Sequence, residues 1–213
     1  TSKSTEADGA WIEIQADTNN FFGQGNSNGI LVINDFSDSA LTYLSSNVDG
    51  IHDVLTVALD FFEPREYRGG PLVLRIIDDD NASDPHLKAA VNMWLVDGTI
   101  KELRQDESKA NAYTLGAKHR LHVVVNNSAK TVQYGNNANL PSRCYDVYID
   151  GVAIDAAVPF PAEPDSLPVG KALPCVKLLT YIKQTTKQQF MVDNIEIYDG
   201  AHAPSDSKST PAK

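Results

Sequence analysis

The stretch "QQFMVDNIEIYDG", Gln188 to Gly200, has the composition of a β-strand, with apolar and polar residues alternating in its second half. An alternation of period two is typical of a strand that has one face on a hydrophobic core. The same alternation places Asp193 in line with Met191, Ile195 and Ile197. A carboxylate among core residues is costly unless it is hydrogen-bonded, ion-paired or bound to a metal. The stretch therefore predicts a strand and raises the question of what Asp193 contacts.

Most other periodic segments of the chain also have a period of two, and turn signals separate them. Asp97-Gly98 and Asp150-Gly151 stand between apolar alternations, as two-residue hairpin turns do. The pattern gives about ten strands and predicts an all-β fold, an antiparallel two-sheet β-sandwich or jelly roll. We expect the first and last strands to be adjacent in one sheet. A short helix is predicted over residues 37–46, with a helical turn near 84–90.

The domain organisation follows from where the periodic segments begin and end. Residues 1–7 are polar and predict a flexible N-terminal arm, residues 8–200 form one sandwich domain, and residues 201–213 form a polar linker or tail. The start lacks the apolar core of a signal peptide, so a secreted protein of this sequence has had its signal removed. A run of apolar residues long enough to cross a bilayer is not present.

The charge of the chain excludes some classes of partner. The 213 residues include 18 basic and 28 acidic side chains, which gives a net charge of −10. Nucleic acid and anionic lipid both reward clustered basic residues, so neither is expected as a partner. By the same reasoning the net charge favours neutral sugars over polyanionic ones unless a metal bridges them. The two cysteines, Cys144 and Cys175, either form one disulfide, which we favour, or remain unpaired.

Two segments resemble the concanavalin A-like, laminin-G-like jelly roll of lectins, carbohydrate-binding modules and several polysaccharide lyases. They are "YDVYIDGVAI" at 145–154 and the closing "FMVDNIEIYDG". The resemblance implies a polysaccharide or glycan ligand. It also implies a structural calcium ion near Asp193, held together with groups close to the first strand, of which Asp8, Glu13 and Asp17 are candidates.

A second calcium site is predicted in the acidic stretch "IIDDDNASD", where Asp78, Asp80 and Asp84 could supply oxygen ligands. The spacing does not fit an EF-hand, and a solvated loop is the alternative. For Asp193 the alternative is a hydrogen bond to backbone amides or an ion pair with an arginine.

Large aromatic side chains in strand-like segments are the candidate glycan contacts, because the C–H faces of sugars stack on aromatic rings. We select Tyr148, Trp94 and Tyr181. The alternative is that these rings are half-buried sheet residues.

Catalysis is the competing interpretation. In a lyase, Tyr181 or His122 would act as the base, and Arg75 or Lys183 would neutralise a uronate carboxylate. However, "YIKQ" holds only half of the Y-x-K-x-G pattern of alginate lyases, and the paired carboxylates of hydrolases do not occur. The sequence therefore favours a non-catalytic, extracellular glycan-binding module with calcium. The alternatives are a jelly-roll polysaccharide lyase and a structural subunit that assembles through its terminal arms.

Overall fold

The computed structural model describes residues 2–3, 9–25, 28–37, 43–67, 70–78, 89–102, 108–136, 138–160, 167–180 and 187–204. These residues contain β-strands and no α-helix. One sheet has eight strands, β1 (Ser2–Lys3), β2 (Ala10–Ala16), β3 (Gly29–Asp35), β5 (Val54–Phe62), β10 (Lys118–Asn126), β13 (Cys144–Ile149), β14 (Val152–Pro159) and β16 (Gln188–Asp199). A second sheet has six, β4 (Tyr43–Asn47), β6 (Leu72–Ile77), β7 (Ala89–Val96), β8 (Thr99–Glu102), β9 (Ser108–Lys109) and β15 (Cys175–Leu179). A small hairpin consists of β11 (Val132–Tyr134) and β12 (Ala138–Leu140).

All pairings within the two sheets are antiparallel, and the predicted two-sheet jelly-roll sandwich is confirmed. The order is β1-β2-β3-β16-β5-β10-β13-β14 in the larger sheet and β4-β15-β6-β7-β8-β9 in the smaller. β2 and β16 share a sheet, but the prediction that they are adjacent is wrong, because β3 lies between them. The last strand thus sits in the interior of its sheet rather than at an edge.

The core lies between the inner faces of the two sheets. Alternate residues of β5, such as Leu59 and Phe61, meet alternate residues of β6, such as Leu74 and Ile76, in one buried hydrophobic cluster. Successive side chains of a strand point to opposite faces, so each strand has an inner face on this core and an outer face. Fully burying one such side chain stabilises the fold by about 1.5–3 kcal/mol.

A β-bulge interrupts β16 directly after Asp193, where the register against β5 shifts. Asn194 adopts a φ of 47° there, which asparagine tolerates better than most residues. Met191, before the bulge, belongs to an outer-face cluster, whereas Ile197, after it, packs on the core. The extra residue therefore places Met191 and Ile197 on opposite faces of β16. Asp193 shares the outer face with Met191, and the expectation that Asp193 lies in line with Ile197 is wrong.

Both Asp-Gly turns form the predicted hairpins, between β7 and β8 and between β13 and β14. Asp97 and Gly98 have φ values of 50° and 76°, and Asp150 and Gly151 have 52° and 79°. Positive φ at both central residues is the requirement of a type I′ turn.

Two other expectations do not hold. Part of the segment 37–46, predicted as a helix, is strand β4, whose residues 43–47 pair with β15. The backbone hydrogen bonds of this segment are therefore made to a neighbouring strand and not within a helix. Residues 38–42 and most of 84–90 lie outside the described residues. Cys144 and Cys175 are both free thiols, because Cys144 packs beside Tyr134 on the larger sheet whereas Cys175 packs with Ile77 and Ala89 on the smaller one.

The two ends of the described chain lie against the larger sheet. The backbone of β1 pairs with β2 of the same chain. Residues 201–204, which the sequence assigns to the tail, continue from β16 across the outer face of β5 and β10, and we call residues 200–204 the C-terminal strap. No helix in the described part of the chain could span a membrane.

Candidate functional site

The sandwich has two outer faces, and the chain itself covers much of the one on the eight-stranded sheet. Loop residues 17–25 pack on β3 and β16, through a cluster of Phe22, Ile30, Val32 and Met191. The hairpin β11–β12 and the C-terminal strap pack on β10 and β13 in a second cluster. This face therefore serves mainly as a support for the chain's own loops.

Asp17 and Asp193 take part in that support. The carboxylate of Asp17 accepts the backbone N–H groups of Phe21 at 2.8 Å and Phe22 at 3.0 Å. Asp193 accepts the Asn28 side-chain amide at 2.7 Å and the backbone N–H of Asn194 at 2.8 Å. Asp193 therefore makes hydrogen bonds at an irregularity of its strand, and calcium at this position stays a prediction.

The metal candidates are spread over the molecule. Asp78 follows β6, where its carboxylate lies 3.8 Å from the Lys171 ammonium. Asp8, Asp80 and Asp84 lie outside the described residues. Within the described ranges, no three His, Cys, Asp or Glu side chains come close enough to hold one ion. Calcium stays a prediction.

The strap and the β11–β12 hairpin hold His122 and Tyr148. The His122 Nε2–H donates to the His202 carbonyl oxygen at 2.8 Å, and burial lowers the pKa of His122. The Tyr134 hydroxyl contacts the Tyr148 hydroxyl at 2.5 Å and donates to the Asp146 carboxylate. Tyr148 is therefore engaged in a side-chain network on the larger sheet.

The outer face of the six-stranded sheet carries a different set of side chains, and we call it the basic face. Ser45 on β4, Lys177 on β15, Arg75 on β6 and Asn92 on β7 are consecutive cross-strand partners, so they form one polar row across four strands. Their strand neighbours, such as Leu74, point to the core, and the row therefore points away from it.

Aromatic side chains flank the row on the same face. Tyr43, at the β4 edge, is 59% exposed, and the Lys177 ammonium lies 5.7 Å from the centre of its ring. Trp94 is half-buried on β7 and pairs with Lys101 of β8. An aromatic ring beside an ammonium gives a surface that can both stack and attract negative charge.

Arg75 and Asn92 form the floor of the basic face. Their side chains are only 4% and 3% exposed, although both point away from the core. Among the described residues, neither the oxygen nor the nitrogen of the Asn92 carboxamide has a hydrogen-bond partner. A buried polar group without a partner costs about 1–3 kcal/mol, so the Asn92 carboxamide destabilises the fold as it stands.

The charge of this face is opposite in sign to the net charge of the whole chain. Its outward-facing strand residues include the cations Lys177, Arg75 and Lys101, and within the described strands none of them is a carboxylate. The chain as a whole has a net charge of −10. The predicted preference for neutral sugars rested on the negative net charge of the chain. That charge does not describe the basic face.

The structure brings together some of the residues selected from the sequence and separates others. Arg75 and Trp94 lie on the basic face, whereas His122 and Tyr148 lie on the outer face of the other sheet. Because the hydrophobic core separates the two faces, His122 and Arg75 cannot act on one substrate atom. Tyr181 and Lys183 fall outside the described residues.

Sequence reasoning missed Lys177, Asn92 and Tyr43. The period of two shows that Lys177 and Asn92 alternate with apolar neighbours, but it does not show which strands are adjacent. The cross-strand register supplies that information, since it aligns both residues with Arg75.

By sequence, the chain matches no protein-family model and no curated protein. Solved structures share its fold. The cellulose-induced protein Cip1 superposes with a TM-score of 0.60 at 8% identity, with 94% of this chain and 91% of that chain covered. Domain 4 of AbnA, an extracellular GH43 arabinanase from Geobacillus stearothermophilus solved with arabinotriose, gives 0.51 at 17% identity, covering 92% and 78%.

A third similar structure comes from work on the endo-acting O-glycanases with which members of the human gut microbiota initiate mucin breakdown. It gives a TM-score of 0.53 at 9% identity and covers 91% of this chain and 92% of that chain. The three similarities establish the jelly-roll β-sandwich fold that the closing strand predicted.

Proposed function

We propose that this chain is a glycan-binding module whose binding surface is the basic face. The observation that carries the proposal is the polar row Ser45–Lys177–Arg75–Asn92 beside the exposed ring of Tyr43. Sugar recognition combines hydrogen bonds to hydroxyl groups with stacking on aromatic rings, and this face offers both. Solved structures of the same fold, which include one in complex with arabinotriose, support a glycan as the ligand class.

The glycan that fits this face is acidic. Lys177 presents positive charge beside the exposed ring of Tyr43, and Arg75 adds a second positive charge on the neighbouring strand. The Asn92 carboxamide, next to Arg75, supplies one further donor and one acceptor. A uronate, with a carboxylate and adjacent hydroxyls, matches these groups in charge and in hydrogen-bonding type. An extracellular location accords with a polysaccharide ligand and belongs to the same proposal.

Cleavage of the acidic glycan is the second candidate. Arg75 supplies positive charge to this face, and a group that neutralises the uronate carboxylate is the first requirement of a lyase. His122 is excluded as the base of such a site by its position on the other sheet.

Affinity electrophoresis in gels containing polygalacturonate or alginate tests the proposal. We expect retardation that weakens as salt is added, because exposed charge pairs are screened. Lys177→Met should weaken binding by about tenfold, the equivalent of one charged hydrogen bond. Lys130→Met is the matched control, since Lys130 is an exposed lysine outside the basic face.

Each outcome has a distinct meaning. Equal retardation of the Lys177 and Lys130 variants would show that the basic face is not the binding surface. Absence of retardation by both acidic polysaccharides would overturn the proposal that the basic face binds an acidic glycan. If the ultraviolet absorbance of unsaturated uronates grows when the protein is incubated with the same polysaccharides in solution, the lyase is favoured.

A further inference from the structure

A cleft of about 450 Å³ opens on the other side of the molecule, beside the covered part of the eight-stranded sheet. Its lining residues come from three elements: Arg120 and His122 on β10, Asp150 and Gly151 in the β13–β14 turn, and Pro204 at the end of the C-terminal strap. The volume lies within the range of small-ligand sites, about 300–1,000 Å³. The core separates this cleft from the basic face, so the two would act independently.

The cleft places a hydrogen-bond acceptor beside a donor. The Asp150 carboxylate accepts the backbone N–H of Arg120 at 2.8 Å and contacts His119 Nδ1 at 2.7 Å. The two oxygens of a carboxylate together accept about four hydrogen bonds, so the group keeps acceptor capacity towards the cleft. The Arg120 guanidinium uses Nη1 for two acceptors and Nη2 for one, out of five N–H groups.

These groups are fixed before any ligand arrives. Asp60 and Glu196 hold the Arg120 guanidinium, and in the tight hairpin turn the Asp150 backbone N–H donates to the Arg120 carbonyl oxygen at 2.9 Å. His122 cannot rotate freely, because its Nε2–H donates to the His202 carbonyl. Rigid polar groups lose little conformational entropy when they bind, which favours recognition.

The charge around the cleft opposes an anionic ligand. Three carboxylates, Asp60, Asp150 and Glu196, face two cations, Lys118 and Arg120. Burial lowers the pKa of His122, which disfavours a positive charge on its imidazole. A cation would in turn meet the Arg120 guanidinium in the cleft wall.

We propose that this cleft is a second ligand site and that it takes a neutral saccharide. Each hydroxyl of a sugar both donates and accepts, and adjacent hydroxyls match the neighbouring Asp150 carboxylate and Arg120 guanidinium. Pro204 supplies an apolar wall for the C–H face of the ring. Gly151 keeps the opening clear, because nothing lies within 4 Å of the position that a Cβ atom would take.

Isothermal titration of the full chain with arabinotriose and with cellotriose tests the proposal. Gly151→Asn places a side chain at the mouth of the cleft, and asparagine tolerates the φ of 79° there. We expect it to lower the affinity by about tenfold, as expected for the loss of one well-made polar contact. Gly170→Asn is the matched control, since Gly170 also has a positive φ, of 77°, and open space around its Cβ position.

A second variant, Pro204→Arg, projects a long side chain from the opposite wall and should weaken binding in the same way. Thermal melts of all three variants report whether the fold is intact. Lys177→Met should leave trisaccharide binding unchanged, and Gly151→Asn should leave polygalacturonate binding unchanged. If neither trisaccharide binds, or if the Gly151 and Gly170 variants bind equally well, the cleft is not a saccharide site, whatever the result on the basic face.

Discussion

The Nη1 atom of Arg120 donates to both the Asp60 carboxylate, at 3.1 Å, and the backbone carbonyl of Asn194, at 2.9 Å. Asn194 is the bulged residue of β16, and its own side-chain amide donates to Asp60 at 2.8 Å. Lys118 completes the network with a contact of 3.0 Å to the same carboxylate. One arginine thus connects β10, β5 and β16 at the point where the ladder between β5 and β16 is interrupted.

Replacing Arg120 should destabilise the fold. Arg120→Met leaves the buried Asp60 carboxylate with Lys118 and Asn194 alone and removes the donor to the bulge, and we expect a loss of about 2 kcal/mol. Urea denaturation measures it. Arg65→Met is the control: Arg65 is exposed, makes one hydrogen bond to Leu115, and should cost less than about 1 kcal/mol. Equal losses in the two variants would contradict the role assigned to Arg120.

Asn126, at the end of β10, should be among the most sensitive polar positions. It is fully buried, and its side-chain NH₂ group donates to the carbonyls of Lys130, Leu140 and Pro141 at 2.8, 2.9 and 3.0 Å. Asn126→Leu leaves these acceptors without their donor, and we expect a loss of about 3 kcal/mol by urea denaturation.

Gln133→Leu is the matched control for Asn126. Gln133 is exposed on β11 and makes a hydrogen bond of 3.0 Å to Asn139. Its replacement should change the free energy of unfolding by less than about 0.5 kcal/mol. A stability of Asn126→Leu close to that of this control would show that the loop carbonyls find other partners.

Two histidines should give the melting temperature opposite dependences on pH. Burial lowers the pKa of His122, so the unfolded state binds its proton more tightly than the folded state does. The contribution of neutral His122 to the stability of the fold is therefore fully present above about pH 6.5 and is lost as the pH falls through its pKa in the folded state. Arg120, His202 and Glu196 are the charged or titratable groups that act on it, and His122→Gln should remove this part of the pH dependence.

His52 should behave in the opposite way. Its hydrogen bond to Asp199, at 2.9 Å, raises the pKa of His52. The stabilisation is fully present below about pH 6.5 and is lost as the pH rises through the folded pKa. Melting curves of His52→Gln and His122→Gln between pH 5 and pH 8 should differ from those of the parent chain with opposite slopes. Slopes of the same sign would contradict one of the two assignments.

Calcium remains a prediction for the acidic stretch that begins at Asp78. A ligand that binds only the folded state raises stability in proportion to the logarithm of its concentration. We expect calcium, added after chelation, to raise the melting temperature, and we expect the triple replacement of Asp78, Asp80 and Asp84 by asparagine to abolish the increase. Identical melts with calcium and with chelator would remove the prediction.

The sequence was sufficient for the fold where a local signal exists. The alternation in β5, β10 and β16 and the two Asp-Gly turns predicted the strands and two of the hairpins. It was not sufficient at Asn194, because one inserted residue inverts the faces of β16 without a strong sequence signal. Residues 43–46 were predicted as part of a helix, but they form a strand, because pairing with β15, a long-range contact, outweighs local propensity.

The candidate site was predicted less completely than the fold, for a related reason. Arg75 and Trp94 were selected for their chemistry, and they do share the basic face. Lys177 and Asn92 acquire their meaning only from the cross-strand register, which aligns them with Arg75. His122 was grouped with Arg75 because periodicity within a strand does not show to which sheet the strand belongs.

The interior position of β16 has a consequence for the order of folding. Until residues 188–199 insert, the large sheet is divided into β1–β3 on one side and β5, β10, β13 and β14 on the other. Each part then exposes an unpaired backbone edge, and closure of the sheet requires contacts between residues more than 120 positions apart in the chain. Such long-range pairing is slow and leaves sheet edges open to other chains meanwhile. We therefore expect refolding to be slow and its yield to fall as the protein concentration rises.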